Sequence, residues 1–250
     1  MYSEGNLMEK LFTTKVKDQI FYLTIKNSEN GNRVSDQLAT ELTQTIDTAA
    51  LDQKAIVITT EGEDFCLGRA VMGEPKGKLL EAYEMRQRFD AVFDFYDSFR
   101  RSPIPIICGV QGKAIGFGCA MAAICDITIS AEDAIFQLPE TSHGIMPTMA
   151  MSSLIDRVQR KAILYLTYTA ASVDAQYALN SGLISQIVPA NQLKNSIEEA
   201  AEAIRHIPFP AINAVKEFST NSIGLPMSAA EDYARSLHSL INSSEAMRDK

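Results

Sequence analysis

The sequence predicts an α/β fold: parallel strands linked by right-handed helical crossovers, then an all-helical tail. Three observations carry that expectation. Short apolar, β-branched runs alternate with helix-period segments as far as residue 190. The run Ala55-Ile-Val-Ile-Thr59 has the unbroken apolar character of a buried strand. From residue 191 onward only helical periodicity remains. Residues 1–190 therefore read as the α/β core and 191–250 as a helical region.

Taken in order, residues 11–16 and 20–26 are rich in β-formers and flank Lys17-Asp-Gln19, which predicts a hairpin or adjacent strands. Ser35 is placed to cap a helix whose Leu38, Leu42, Ile46 and Ala49 share one face. A strand follows at 54–60, then a glycine-bearing loop at 61–78. One long helix is expected over 79–101, with Tyr83, Phe89, Val92, Phe93 and Tyr96 as packing residues. Residues 103–109 form a strand that opens with prolines. Residues 112–125 read as a loop feeding a tightly packed helix, and 126–130 and 134–138 as strands. Helices are expected at 153–158, 160–169 and 174–181, with a last strand at 183–188. In the tail, Leu193, Ile197, Ala200, Ala201 and Ile204 share a face, Pro208 and Pro210 break the helix, and 227–240 closes the chain.

Composition limits the function. The chain has 250 residues, 46% of them hydrophobic and 22% charged, which excludes a disordered chain. Its net charge of −8 argues against a nucleic-acid partner, because phosphate backbones want a basic face. No run of 18 apolar residues and no leader-like apolar segment is visible, so no membrane partner is expected. Cys66, Cys108, Cys119 and Cys125 form no C-x-x-C pair, so no metal site is predicted. They read as free core thiols in a reducing compartment, and a cytoplasmic protein is expected.

Chemistry should lie where loops leave the carboxyl ends of strands. Two glycine-bearing loops do so: Phe65-Cys-Leu-Gly-Arg69, and Gln111-Gly-Lys-Ala-Ile-Gly-Phe-Gly118. The second leads into a helix, so its N–H groups can face an anion, although it matches neither G-x-G-x-x-G nor a P-loop.

The run Asp64-Phe-Cys-Leu-Gly-Arg-Ala70 resembles the first oxyanion loop of the crotonase (enoyl-CoA hydratase/isomerase) superfamily. The stretch from Val110 through Gly112, Gly116, Phe117 and Gly118 to Asp126 resembles its second loop and helix. Phe136-Gln-Leu-Pro-Glu140 with Gly144-Ile-Met-Pro147 resembles its catalytic segment, and Ala175 through Pro189 its A-x-x-x-G-L-V stretch. The resemblance spans nearly the whole chain.

It implies a spiral core of ββα units with a C-terminal helical trimerisation region, and a homotrimer or dimer of trimers. It also implies an acyl-CoA substrate and no cofactor beyond the coenzyme A that the substrate carries. The backbone N–H groups of Arg69 and Phe117 would form the oxyanion hole, and Gly68, Gly116 and Gly118 would let the chain approach the substrate beside Leu67. Glu140 would be the acid–base group, with His143 nearby as a further candidate. Arg33, Lys76, Lys78 and Lys216 are candidates for the CoA phosphates.

Three departures from the family pattern shape the expected reaction. Ala120 stands where hydratases of the family usually carry a second glutamate, so one carboxylate fits double-bond isomerisation better than hydration. Glu74, Glu81 and Glu84 are conceivable replacement acids. Phe117 stands where glycine is common and is expected to narrow the pocket, while Arg69 has a free choice between a substrate carboxylate and a salt bridge. Thr148-Met-Ala-Met-Ser152 replaces the family's glycines, with Met146, Met149 and Met151 as candidate tunnel residues. Decarboxylation, thioester hydrolysis and a catalytically reduced acyl-CoA-binding protein remain open readings, since a fold does not fix its reaction.

Overall fold

The computed structural model describes residues 11–70 and 81–248. Two sheets organise it. Strands β1 (Phe12–Lys17) and β2 (Ile20–Ile25) form an antiparallel hairpin, turned by Asp18 and Gln19 at φ 52° and 64°. A two-residue turn with both φ values positive matches the twist of the strands it joins. Helix α1 (Asp36–Ala49) starts where Ser35 Oγ accepts the Leu38 N–H at 3.1 Å, as its sequence predicts. It buries Leu38, Leu42 and Ile46.

Strand β3 (Ala55–Thr60) pairs in parallel with β2, and β4 (Ile106–Val110) pairs in parallel with β3. The single long helix expected before β4 is instead two: α2 (Ala82–Gln87) and α3 (Asp90–Arg101). Only α3 buries a face, through Val92, Phe95, Tyr96 and Phe99; α2 buries nothing, so no packing holds the two in one axis. Tyr83 and Phe93 are exposed rather than packed.

The loop after β4 contains a strand that the sequence reading missed, β5 (Lys113–Ile115), which leads into the fully buried helix α4 (Phe117–Ile124). Strand β6 (Ile127–Ala131) joins the large sheet, and β7 (Ile135–Gln137) pairs with β5. Helix α5 covers Thr148–Leu154, earlier in the chain than expected, because Pro147 starts it and the methionine run forms it. Helix α6 (Arg160–Thr169) leads to a two-residue strand, β8 (Val173–Asp174), which was also missed. Helix α7 (Ala175–Ser181) is capped by Asp174, and β9 (Gln186–Val188) completes the large sheet in the order β1-β2-β3-β4-β6-β9. The small sheet is β5-β7-β8.

Helix α8 (Leu193–Arg205) lies on the large sheet so closely that a Cβ on Gly109 would meet Ile197 Cδ1 at 2.1 Å. Helices α9 (Phe209–Asn221), α10 (Met227–Asn242) and α11 (Glu245–Arg248) follow, and α10 buries no residue within the single chain. Among the described residues no helix is long and apolar enough to cross a membrane.

Candidate active site

The two glycine-bearing loops meet. After β3 the chain runs beside β5: the Cys66 N–H donates to Lys113 O at 3.0 Å, and the Ile115 N–H donates to Cys66 O at 2.9 Å. On its other edge, the Val34 N–H donates to Gly68 O and the Ala70 N–H to Val34 O. This ladder uses the Gly68 carbonyl and the Ala70 N–H, and Arg69's own N–H points to the opposite edge. Among the described residues it has no acceptor. The Phe117 N–H, first in α4, likewise has none, as helix geometry leaves the opening amides of a helix unpaired.

Gly118 holds the two segments together. A Cβ there would stand 2.3 Å from Cys66 O, so only glycine lets α4 lie against the first loop. Gly116 sits at φ 53° and ψ −112°, a conformation that L side chains rarely adopt. A Cβ on it would reach Glu140 Oε1 at 3.1 Å. Gly68, at φ 112°, is buried, and the Leu67 side chain packs over Gly31.

Glu140 is delivered by β7. The Gly116 N–H donates to Gln137 O at 2.8 Å, and the chain then turns through a 3-10 turn, Glu140–His143. Thr141 Oγ1 donates to Thr167 O at 2.7 Å and pins that turn to α6. The Glu140 carboxylate is largely buried. Its Oε2 is sealed from solvent and meets no hydrogen-bond partner. Burial raises its pKa; its own backbone N–H and His143 pull the other way. A buried carboxylate oxygen without a partner is costly, by about 1–3 kcal/mol or more for a charged group. The arrangement thus sets a buried carboxylate against Gly116, next to the unpaired Phe117 N–H.

The other expected residues scatter. His143 is exposed at the end of the turn. Phe117 does not narrow the pocket: its ring is 5% exposed and stacks on Phe95 and Tyr96 of α3, centroids 5.2 Å and 5.5 Å apart. The Arg69 guanidinium is committed to Asp36, with Nε to Oδ1 at 3.0 Å, and covers the Phe89 ring. Ala120 is fully buried in α4. Glu81 and Glu84 are exposed and bonded to each other through the Glu81 N–H. Glu74, Lys76 and Lys78 lie outside the described residues.

Lys216 does not serve a phosphate rim. It is 5% exposed, and its Nζ donates to Asp126 Oδ1 at 2.6 Å, at the end of β4 away from the glycine loops. Asp126 also accepts the Ile106 N–H there. Arg33 remains exposed beside the first loop. Met146 is 73% exposed, while Met149 and Met151 pack partly against the core.

Against known families, residues 15–248 match the profile described as enoyl-CoA hydratase/isomerase. The chain belongs to the enoyl-CoA hydratase/isomerase family. A 2,3-dehydroadipyl-CoA hydratase of Escherichia coli is 27% identical over 241 residues, covering 95% of this chain and 92% of that one. A probable enoyl-CoA hydratase of Mycobacterium leprae is 29% identical over 201 residues, covering 78% and 75%. An enoyl-CoA hydratase structure from Mycobacterium smegmatis superposes with a TM-score of 0.89 at 23% identity, over 96% of this chain and 94% of that one. The human enoyl-CoA hydratase domain-containing protein 3 gives 0.86 at 23% identity, over 96% and 95%. At that identity the likeness is one of fold, and the fold is the crotonase fold. For this hydratase/isomerase-family chain, an acyl-CoA substrate agrees with the family.

Proposed function

We propose that this chain acts on enoyl-CoA thioesters through a thioester enolate, with Glu140 as its acid–base group. The observation that carries the proposal is the buried, unpartnered Glu140 oxygen, on a carboxylate whose other oxygen lies against Gly116. In a 3-enoyl thioester, Glu140 takes the α-proton, and the electron pair moves onto the thioester oxygen. The Arg69 and Phe117 N–H groups donate to that oxygen; one such donor is worth about 3–4 kcal/mol in other enzymes. The dienolate then takes the same proton back at the γ carbon and leaves as the conjugated 2-enoyl thioester. A single carboxylate completes this isomerisation, and Ala120 offers no second one.

Hydration is the second reading. The two relatives named above are called hydratases, and hydration uses the same enolate. Glu140→Gln should abolish turnover of 3-enoyl- and 2-enoyl-CoA while CoA binding persists; turnover at the wild-type rate would sink the assignment. Gain of conjugated enoyl absorbance from a 3-enoyl substrate marks isomerisation, and its loss from crotonyl-CoA marks hydration.

The proposal extends to assembly and place. Val215, Met227 and Leu240 are 72%, 75% and 67% exposed on α9 and α10, apolar surface that a homotrimer or dimer of trimers would cover. Mass in solution tests it. Arg33 is the remaining described candidate for a CoA phosphate. Four free, buried thiols suit the reducing cytoplasm.

A further inference from the structure

Hydration needs something that Glu140 alone does not supply: a second polar group to hold the incoming water. The candidate replacement acids Glu81 and Glu84 are exposed and bonded to each other. Helix α3 offers a hydroxyl. Tyr96 is 2% exposed, yet no described residue hydrogen-bonds to its hydroxyl. Tyr22, by contrast, donates to Glu198 at 2.9 Å.

Tyr96 packs its ring against a residue of the site. The Tyr96 ring stacks on Phe117 at 5.5 Å with 30° between the planes. Phe117 carries one of the unpaired amides and directly follows Gly116, which Glu140 overlies. Burial, and then the Glu140 charge, push the Tyr96 phenol above its ordinary value, so it keeps its proton. A neutral phenol both donates and accepts.

We propose that the Tyr96 hydroxyl is the second polar group of the site, holding with Glu140 the water that adds to a 2-enoyl-CoA thioester. This rests on the reading of Glu140 as the acid–base group and on the hydration reading above. The water gives one O–H to the Glu140 carboxylate and the other to the Tyr96 oxygen. Glu140 takes the first proton as the water oxygen bonds to the β carbon, and the double-bond electrons move to the thioester oxygen. The enolate collapses, and its α carbon takes that proton from Glu140. One water is consumed, the carboxylate is restored, and Tyr96 never ionises. Isomerisation uses no water and makes no demand on Tyr96.

The test is Tyr96→Phe beside Glu140→Gln, each assayed on crotonyl-CoA and on a 3-enoyl-CoA. Y96F should lose about 100-fold or more in hydration, a fall at least about tenfold larger than any it shows in isomerisation. It should also melt no lower than wild type, because the hydroxyl it removes has no partner in the chain. Unchanged hydration, an equal fall in both reactions, or a wild type that isomerises without hydrating would each overturn the Tyr96 role. A Y96F protein that unfolds would overturn it too, by showing that the chain itself uses the hydroxyl. Glu140→Gln turning over both substrates would instead overturn the Glu140 reading.

Discussion

Two carboxylates, at opposite ends of β4, are taken out of water in opposite ways. Asp126 meets Lys216 Nζ at 2.6 Å, accepts the Ile106 N–H at 2.8 Å, and has Arg157 at 3.5 Å. Glu140 has one oxygen sealed and no partner for it. Both are withdrawn from solvent, but one is satisfied by the chain and the other waits for something outside it. That contrast separates a charge the chain satisfies from one it leaves open, which burial alone does not do. Catalysis requires a group whose bonding is completed by the substrate, and such a group lowers the stability of the empty fold.

The comparison breaks most readily at Glu140. Glu140→Gln should cost about 10²–10⁴-fold in turnover while raising the thermal midpoint at neutral pH. The sign follows from its raised pKa: between the ordinary carboxylate value and the Glu140 value, the folded state holds a proton that the unfolded state has released. Stability therefore falls as pH rises through that window, and the glutamine variant loses this slope. Melting curves of both proteins across the acidic range check it. A variant that melts lower at neutral pH would place Glu140 with Asp126 among the satisfied charges.

Lys216→Met attacks the other end. Burial pushes the lysine pKa down while Asp126 pulls it up, and burial wins, so the pair itself stabilises little. Removing one partner is different: Asp126 stays buried with only the more distant Arg157 as a cation. A loss of about 3–5 kcal/mol is expected in denaturant unfolding, with CoA affinity unchanged. A selective loss of CoA affinity would return Lys216 to the phosphate rim.

How far the sequence reveals this contrast depends on the range of each cause. The Ser35 cap and the apolar run of β3 are local, and they read correctly. Glu140 lies against Gly116, and an extended motif marks its position in the sequence. Strand β5 hides between Gly112 and Gly116, where glycines read as loop, and β8 has only two residues. Lys216 looks like any surface lysine until Asp126, ninety positions away, is folded onto it. Tyr96 shows the same limit: helical periodicity identifies its buried face, and says nothing of what its hydroxyl meets.

Gly118→Ala sharpens the comparison by disturbing the reactive end without touching a charge. The new methyl would sit 2.3 Å from Cys66 O, a backbone atom that has no flexible end to swing away. The loop and α4 must part, at about 1–3 kcal/mol. Turnover should fall further than this stability loss explains, since the Arg69 and Phe117 amides move apart. Measuring kcat beside the unfolding free energy separates the two effects, and a purely structural loss would show that the spacing of those amides does not matter.

The smallest effect belongs to Asp36→Asn. The Arg69–Asp36 pair lies partly in solvent, with Asp36 46% exposed, and Asp36 also stands in the first turn of α1. An exposed pair and a helix-dipole contact are each worth about 0–1 kcal/mol. The variant frees the guanidinium but leaves the backbone of residue 69 in its ladder with Val34. If Arg69 acts through its N–H, turnover stays within about twofold of wild type, because so weak a surface pair contributes nothing to that amide. A large change in KM or in acyl preference would mean that the freed side chain reaches the substrate, and the carboxylate that matters to Arg69 would then be the ligand's rather than Asp36.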